Sequence, residues 1–393
     1  MEAHIIEWLN LSVRWLHMIT GIAWIGASFY FVFLENNLNR TKNLREELAG
    51  NLWAVHGGGF YYLEKYKHSP KTIPKDLHWF KWEAYFTGLS GFTLLCIVYY
   101  LNASAYMIDP SVMALSSLQA IGIGIATLVA SWFIYDLMCK SSLLKQQKLF
   151  ALIAFLLLVA LTYGLTQLLS ARAAYIHVGA SIGIIMVLNV FFVIIPGQKV
   201  MVSSALKGEI ADPSYGEKAL RRSIHNNYMT LPVLFIMISN HFPSTFGHKN
   251  SWLVLAGLML AGAAIRHWFN LKGKKVTNYW LLPFSIVLLI GLFIYTKPTN
   301  KQTTQPASVA ISDMQVMNII DKHCISCHAA KPSSAIFSQA PKGLMLDNFK
   351  TIISNADKIK AQAVNSEIMP LGNTSQMTAS ERQQLGQWID QLE

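Results

Sequence analysis

Cys324-Ile-Ser-Cys327-His328 is the stretch from which the rest of the chain is read. C-x-x-C-H is the attachment signature of a c-type haem. Two thiols three residues apart, expected on the first turn of a helix, can both add to the vinyl groups of one porphyrin, and His328 then turns its imidazole to the iron. Met369 is expected as the distal ligand, with Met377 and Met345 as alternatives. A His/Met pair raises the potential of an electron-transfer haem. The plain competitor is a zinc site, which takes four ligands of this type. Residues 310–393 hold no further Cys and only His323 besides, so the chain is expected to move electrons.

Working outward, 393 residues are enough for two domains. Hydrophobic residues make up 53% and charged residues 13%, against about 25% charged in an ordinary soluble chain, so most of the chain is expected to face lipid. The net charge of +11 lies wholly outside residues 310–393, which carry seven Lys/Arg against eight Asp/Glu. A basic excess confined to the apolar part reports membrane topology and argues against nucleic acid as a partner. Cys96 and Cys139 lie in or beside apolar runs and read as structural thiols.

Runs near the length that spans a bilayer, about 20 apolar residues, occur at 11–34, 81–101, 115–137, 149–169, 174–195, 229–246, 251–269 and 280–296. The expected fold is therefore all-α: an eight-helix transmembrane bundle over 1–296, a linker over 297–309, and a small helical cytochrome c domain over 310–393. Segments 35–81, 138–148, 196–228 and 270–279 carry eight, three, five and three Lys/Arg, while 1–10, 102–114, 170–173 and 247–250 carry none, none, one and one. Because such an excess marks the cytoplasmic side, both termini are expected outside, with the cytochrome domain periplasmic at a bacterial inner membrane. The first helix has a long apolar run behind an acidic flank (Glu2, Glu7) and is expected to be retained rather than cleaved.

Within the first cytoplasmic loop, Trp53-Ala-Val-His56-Gly57-Gly58-Gly59-Phe60-Tyr61-Tyr62 is aromatic and Gly-rich, fitting either an interfacial segment or a hairpin resting at the headgroups. Lys297 to Ser308 has the Pro/Thr/Gln composition of a tether, long enough for the haem domain to dock over the outer mouth of the bundle. In that domain Ser312-Asp313 should cap the helix before the haem motif, and Thr378-Ala-Ser-Glu381 is a capping box. Leu385, Trp388, Ile389 and Leu392 form the apolar stripe of the last helix, with Trp388 expected in the core.

Ionisable groups inside a membrane are costly enough to count as functional candidates, and here they sort into two layers. The inner layer holds Glu83, His225, Asn226, Asn227, Arg266 and His267, with Asn270 nearby and an Arg266–Glu83 ion pair conceivable. The outer layer holds Arg14, His17, His177, Asn240 and His241. Arg14, His17, Gly21, Trp24 and Ser28 share one face of the first helix by their spacing. The competing reading of any single one is a helix-end side chain reaching for water or bonding a neighbouring helix. A pair such as His17 with His177 could also ligate a haem b within the bundle.

Arg14-Trp15-Leu16-His17, Gly21-Ile-Ala-Trp24-Ile-Gly26, Gly57-Gly-Gly-Phe60-Tyr61, Phe80-Lys-Trp82-Glu83-Ala-Tyr85 and His225-Asn-Asn-Tyr228-Met-Thr-Leu-Pro232 resemble the membrane-bound bacterial urate oxidase family, also called urate hydroxylase. Asn240-His241-Phe-Pro243 and Arg266-His267-Trp-Phe-Asn270 extend the likeness over almost the whole chain, the C-terminal cytochrome c included. The resemblance implies oxidation of urate to 5-hydroxyisourate, with electrons passing to haem c and on to a soluble cytochrome c or a terminal oxidase. It does not extend to the soluble, cofactor-free urate oxidase.

Such a reaction needs a base, donors for the purine oxygens and an ordered water. An Arg with Asn side chains can grip a purine edge, and a Glu or His can accept the proton. The inner layer carries the fuller set and is preferred; the outer layer stands closer to the haem domain. An inner site faces an outer haem across a hydrocarbon core about 30 Å thick, so it needs a relay, and haem b is the expected one. The rival classes are a membrane-anchored cytochrome with no substrate chemistry of its own and a haem-linked transporter or sensor.

Overall fold

A computed structural model describes residues 2–41, 43–70, 72–297, 311–334 and 336–392. The first helix, α1, runs Glu2–Asn37. A hairpin follows, β1 Leu48–His56 and β2 Gly59–Tyr66, paired antiparallel with His56 opposite Gly59. The next elements are α2 (Trp82–Leu95), α3 (Ala103–Tyr106), α4 (Ser117–Lys140) and α5 (Gln147–Thr166). After them come α6 (Ala171–Asn189), α7 (Ile195–Leu206), α8 (Pro213–Ser239), α9 (Pro243–Phe246), α10 (Ser251–Gly273) and α11 (Leu281–Tyr295).

Among the described residues, five helical stretches are long and apolar enough to cross a membrane: His4–Asn37, Ser117–Lys140, Gln147–Thr166, Ala171–Leu206 and Ser251–Gly273. The other three expected spans depart from the reading for physical reasons. Residues 81–101 form α2 followed by a wider turn at Cys96–Tyr100, in which each amide reaches one residue further back. Residues 229–246 are only the second half of α8, whose first half is polar, plus the short α9. The last span is a 15-residue helix. A second wide turn, Val190–Ile194, joins α6 to α7. Such turns interrupt helices most often beside functional groups, and these two directly follow or contain Asn189, Tyr99 and Tyr100.

The fold is mostly helical rather than purely so. Gly57 and Gly58 adopt φ of +57° and +79°, the mirror-image turn that a two-residue hairpin needs and that glycine enters without steric cost. Trp53 faces Tyr62 and Val55 faces Phe60 across the strands, leaving one exposed apolar face. The hairpin's base is tied to α1 by Asn39 pairing with Asn51 and by Arg40 and Lys65 on the Glu35 carboxylate.

The main core gathers around α6, with Tyr175, Val178, Ile182, Leu169, Ile236 and Leu255 fully enclosed. Outward faces stay apolar: Phe284, Val287, Phe293 and Ile294 of α11 are all exposed. That is the inverse of a water-soluble surface and suits lipid contact. Where α10 crosses α8, a Cβ on Gly262 would meet Leu231 and Pro232 at 3.3–3.4 Å. This close approach at a small residue brings Arg266, one turn further along α10, beside Asn227, about one turn back along α8.

Residues 311–392 build a second core from Val316, Ile320, Leu346, Ile352, Leu385, Trp388 and Ile389. The expected linker over 297–309 lies, apart from Lys297, outside the described residues. Helix α12 (Asp313–His323) opens on a capping box of Ser312 with Gln315. The short helices α13 (Phe349–Ser354) and α14 (Ala356–Ile359) follow, and α15 (Ala379–Asp390) opens on the box of Thr378 with Glu381. Trp388 is core, its indole N–H donating to Asp313 at 2.8 Å, whereas Leu392 lies exposed.

The Lys322 ammonium, with the Thr378 amide behind it, holds the Glu381 carboxyl far below the usual carboxylate range. A carboxyl depressed on folding adds stability above its unfolded value and loses it as the pH falls through the folded one. Glu381→Gln should therefore speed hydrogen exchange across residues 311–392 at pH 7. The difference from the parent protein should narrow progressively below pH of about 4, the ordinary glutamate range.

Candidate functional site

The inner polar residues do not form a single cluster; they separate into three groups. In the first, Arg266 donates from Nε to Asn227 Oδ1 at 2.9 Å and from Nη2 to Asn270 Oδ1 at 3.0 Å, while Asn270 Nδ2 also donates to Asn227 Oδ1 at 3.0 Å. The guanidinium lies 4.1 Å above the Phe29 ring of α1. Among the described residues no ion pair joins Arg266 to Glu83, because the α8–α10 crossing gives the guanidinium to Asn227 instead. Among the described residues, the buried atoms Asn227 Nδ2 on α8, Glu83 Oε2 on α2 and Ser28 Oγ on α1 have no hydrogen-bond partner. An unsatisfied buried donor or acceptor costs about 1–3 kcal/mol. An open amide donor on Asn227, beside the fixed Arg266 cation, is what a polar ligand would complete.

The second group centres on His225, whose Nδ1 lies 2.8 Å from Tyr135 OH and whose ring stacks on Phe150 at 5.0 Å. Tyr135 OH accepts from Asn189 Nδ2 at 3.1 Å, and Asn189 also donates to Asn226 Oδ1 at 2.8 Å. Arg222 donates to Asn189 Oδ1 at 3.0 Å and to Asp136 Oδ1 at 2.6 Å, and Lys140 pairs with Asp136 from the rim. Sequence reading missed Asp136, Arg222, Asn189 and Tyr135. A lone Asp in an otherwise apolar helix was the available signal. In the third group His267 Nδ1 meets Tyr228 OH at 2.6 Å. Both histidines are thus committed to tyrosines rather than to Arg266.

The outer set is likewise dispersed. Arg14 is exposed and donates to Asn10 at 2.9 and 3.1 Å, and His241 is exposed too. His17 Nδ1 contacts Thr87 O and Ser90 Oγ, both at 3.1 Å, and Asn240 pairs with Tyr99 OH. His177 is fully buried, with Nδ1 on Ala173 O at 2.8 Å. A Cβ on Gly124 would fall 2.5 Å from His177 Nε2, and one on Gly91 would fall 2.9 Å from the His17 ring. Each imidazole is pressed against a different helix, His17 against Gly91 of α2 and His177 against Gly124 of α4, and among the described residues His177 Nε2 has no hydrogen-bond partner.

The C-terminal motif fits haem c better. It forms one turn at the end of α12, closed by His328 N–H to Cys324 O at 2.9 Å, rather than the first turn of a helix as expected. His328 Nδ1 bonds Leu344 O at 2.9 Å, which orients the ring and leaves Nε2 as the metal-facing nitrogen. Burial pushes the Cys324 thiol up to about 12, a setting better suited to an uncharged thioether than to a thiolate. His323, the only other imidazole, is taken by Ser375 at 2.7 Å and Glu381 at 3.1 Å. Of the three candidate distal ligands, Met377 is sealed in the core and Met345 is exposed. Met369 is half-buried on a segment held by Arg382, which donates to Met369 O at 2.6 Å.

A surface depression of about 670 Å³ lies between residues 74–79 and α7, lined by Asp76, His78, Trp79, Val202 and Leu206. It includes none of the residues of the Arg266 group.

Residues 3–297 match the family described as urate oxidase N-terminal. The chain belongs to that family. No curated protein and no solved structure matches it. Membership ties the chain to oxidoreductase chemistry on urate, and the match covers the whole helical bundle, where the Arg266 group lies, while ending before residues 311–392.

Proposed function

We propose that the protein is a membrane urate oxidase that adds water rather than oxygen to urate, giving 5-hydroxyisourate, and sends the electrons through its own C-terminal haem c to a soluble cytochrome c or a terminal oxidase. The observation that carries this reading is the Arg266–Asn227–Asn270 cluster, with open polar atoms on Asn227, Glu83 and Ser28, inside a bundle of the urate oxidase N-terminal family.

Urate is an anion at neutral pH. Arg266, held flat over Phe29, supplies the charge-assisted contact, and the free Asn227 amide donates to a purine carbonyl. Glu83 accepts a proton as the purine is oxidised, and Ser28 orients the water that attacks C5. Overall, urate and one water yield 5-hydroxyisourate, two protons and two electrons. Cys324, Cys327, His328 and Met369 would hold the haem, and the group would supply one-electron acceptance. The remaining parts of the reading are eight membrane-crossing helices, both termini on the periplasmic side of a bacterial inner membrane, and residues 311–392 as the cytochrome domain. The Lys/Arg asymmetry between loops supports that orientation.

The deciding experiment is anaerobic addition of urate to membranes containing the protein. Reduced haem c absorption bands should appear together with 5-hydroxyisourate, and the Cys324→Ser/Cys327→Ser protein should give neither. Product formation at the parent rate by the double variant would end this reading, and so would an intact haem that urate leaves oxidised.

A further inference from the structure

The segment that carries Met369 rests on the bundle. A Cβ on Gly372 would lie 2.7 Å from Ala105 O, and one on Gly247 would lie 2.7 Å from Ser366 Cβ. Gly372 has φ of +61°, so glycine serves there both the turn and the close approach. Ile368 packs into the main core of the bundle, and Arg382 lies within electrostatic reach of Asp109. Tyr106 closes α3, the helix that packs against residues 371–373. Behind it the rings continue inward. Tyr106 meets Tyr99 edge-on at 5.9 Å, and Tyr99 meets His177 at 6.3 Å. Deeper still, Trp24 packs against both this core and the cluster around Ala84, the residue next to Glu83.

We infer that this docked arrangement is the one in which electrons cross, and that the Tyr106 and Tyr99 rings are the conduit by which they leave the bundle. The inference rests on the reading that haem c at Cys324 and Cys327 accepts electrons from urate. It answers the distance problem that an inner site creates, because electron tunnelling falls steeply with separation and neighbouring rings divide a long gap into short ones. In each of the two transfers one electron leaves the purine and the haem would accept it; of the two protons released overall, one rests on Glu83 and the other passes to solvent. The rings serve as a bridge and are unchanged afterwards. The external acceptor reoxidises the iron between the two transfers.

Tyr106→Leu should slow anaerobic reduction of the haem by urate by about tenfold or more, a modest rise in an activation barrier. Its haem midpoint potential and its reduction by dithionite should match those of the parent, and Tyr106→Phe should restore the rate. Gly372→Val, which cannot seat against Ala105, should raise hydrogen exchange across residues 103–109 and slow the same step without altering the haem spectrum. A urate-driven rate equal to the parent's in either Tyr106→Leu or an undocked Gly372→Val would overturn the inference, as would failure of Phe to restore it. Failure of urate to reduce the haem in the parent protein would count instead against the proposed function.

Discussion

Arg266→Ala is expected to lower kcat/KM for urate by about a hundredfold or more, while the haem still forms and dithionite still reduces it. Arg266 is 8% exposed, and its guanidinium is fixed at three points: Asn227, Asn270 and the face of Phe29. Truncating one partner of a buried charged contact costs roughly 2–5 kcal/mol, and each 1.4 kcal/mol is about tenfold in rate. The loss has two parts. The anion loses its countercharge, and Asn227 Oδ1 keeps only Asn270 Nδ2 of its two donors, so its free amide is held less firmly. Arg266→Lys should recover little, because an ammonium is a point charge that cannot bridge two amide oxygens in a plane. Asn227→Ala should resemble Arg266→Ala in its effect on urate. A kcat/KM for Arg266→Ala within threefold of the parent would remove this cluster from the substrate site.

The legible parts of this chain were those decided within a few residues. The Ser312 cap and the capping box of Thr378 with Glu381 formed as expected, the former closing as a box with Gln315, since a cap closes on its own first turn. The Gly57-Gly58 turn was likewise visible as one of two readings of an aromatic, Gly-rich loop. What could not be read was which polar residue meets which. Glu83 and Arg266 looked like partners because both sit near the inner ends of helices, but the register at Gly262 and Pro232 gives Arg266 to Asn227. His225 and Asn226 are adjacent in sequence and on neighbouring faces of α8, and both were drawn into a network whose other members lie on α4 and α6. Arg222 was counted among the basic residues of a loop, although it is buried one turn below Asn226. Charge counting treats every Arg alike, while only packing distinguishes one that marks topology from one that closes a network.

That network yields the second large effect. Arg222→Met alone should destabilise the bundle by about 3–5 kcal/mol, the usual cost of breaking a buried ion pair from one side. The side chains of Arg222 and Asp136 are 8% and 13% exposed. Without Arg222 the Asp136 carboxylate keeps only Lys140, which is 70% exposed, and Asn189 Oδ1 loses its donor. Asp136→Leu alone should do comparable harm by stranding the guanidinium. The combined Asp136→Leu/Arg222→Met protein should melt within a few degrees of the parent, because two apolar side chains of similar volume avoid the desolvation that the ion pair must offset. Thermal unfolding in detergent measures all three. If the pair were only a membrane-edge contact open to water, each single change would cost under about 1 kcal/mol, and the double variant would equal their sum. Strong non-additivity is the signature expected of a pair enclosed among α4, α6 and α8. It would place Asp136 and Arg222 among the groups that hold His225 and Asn226 in position, rather than among those that touch urate.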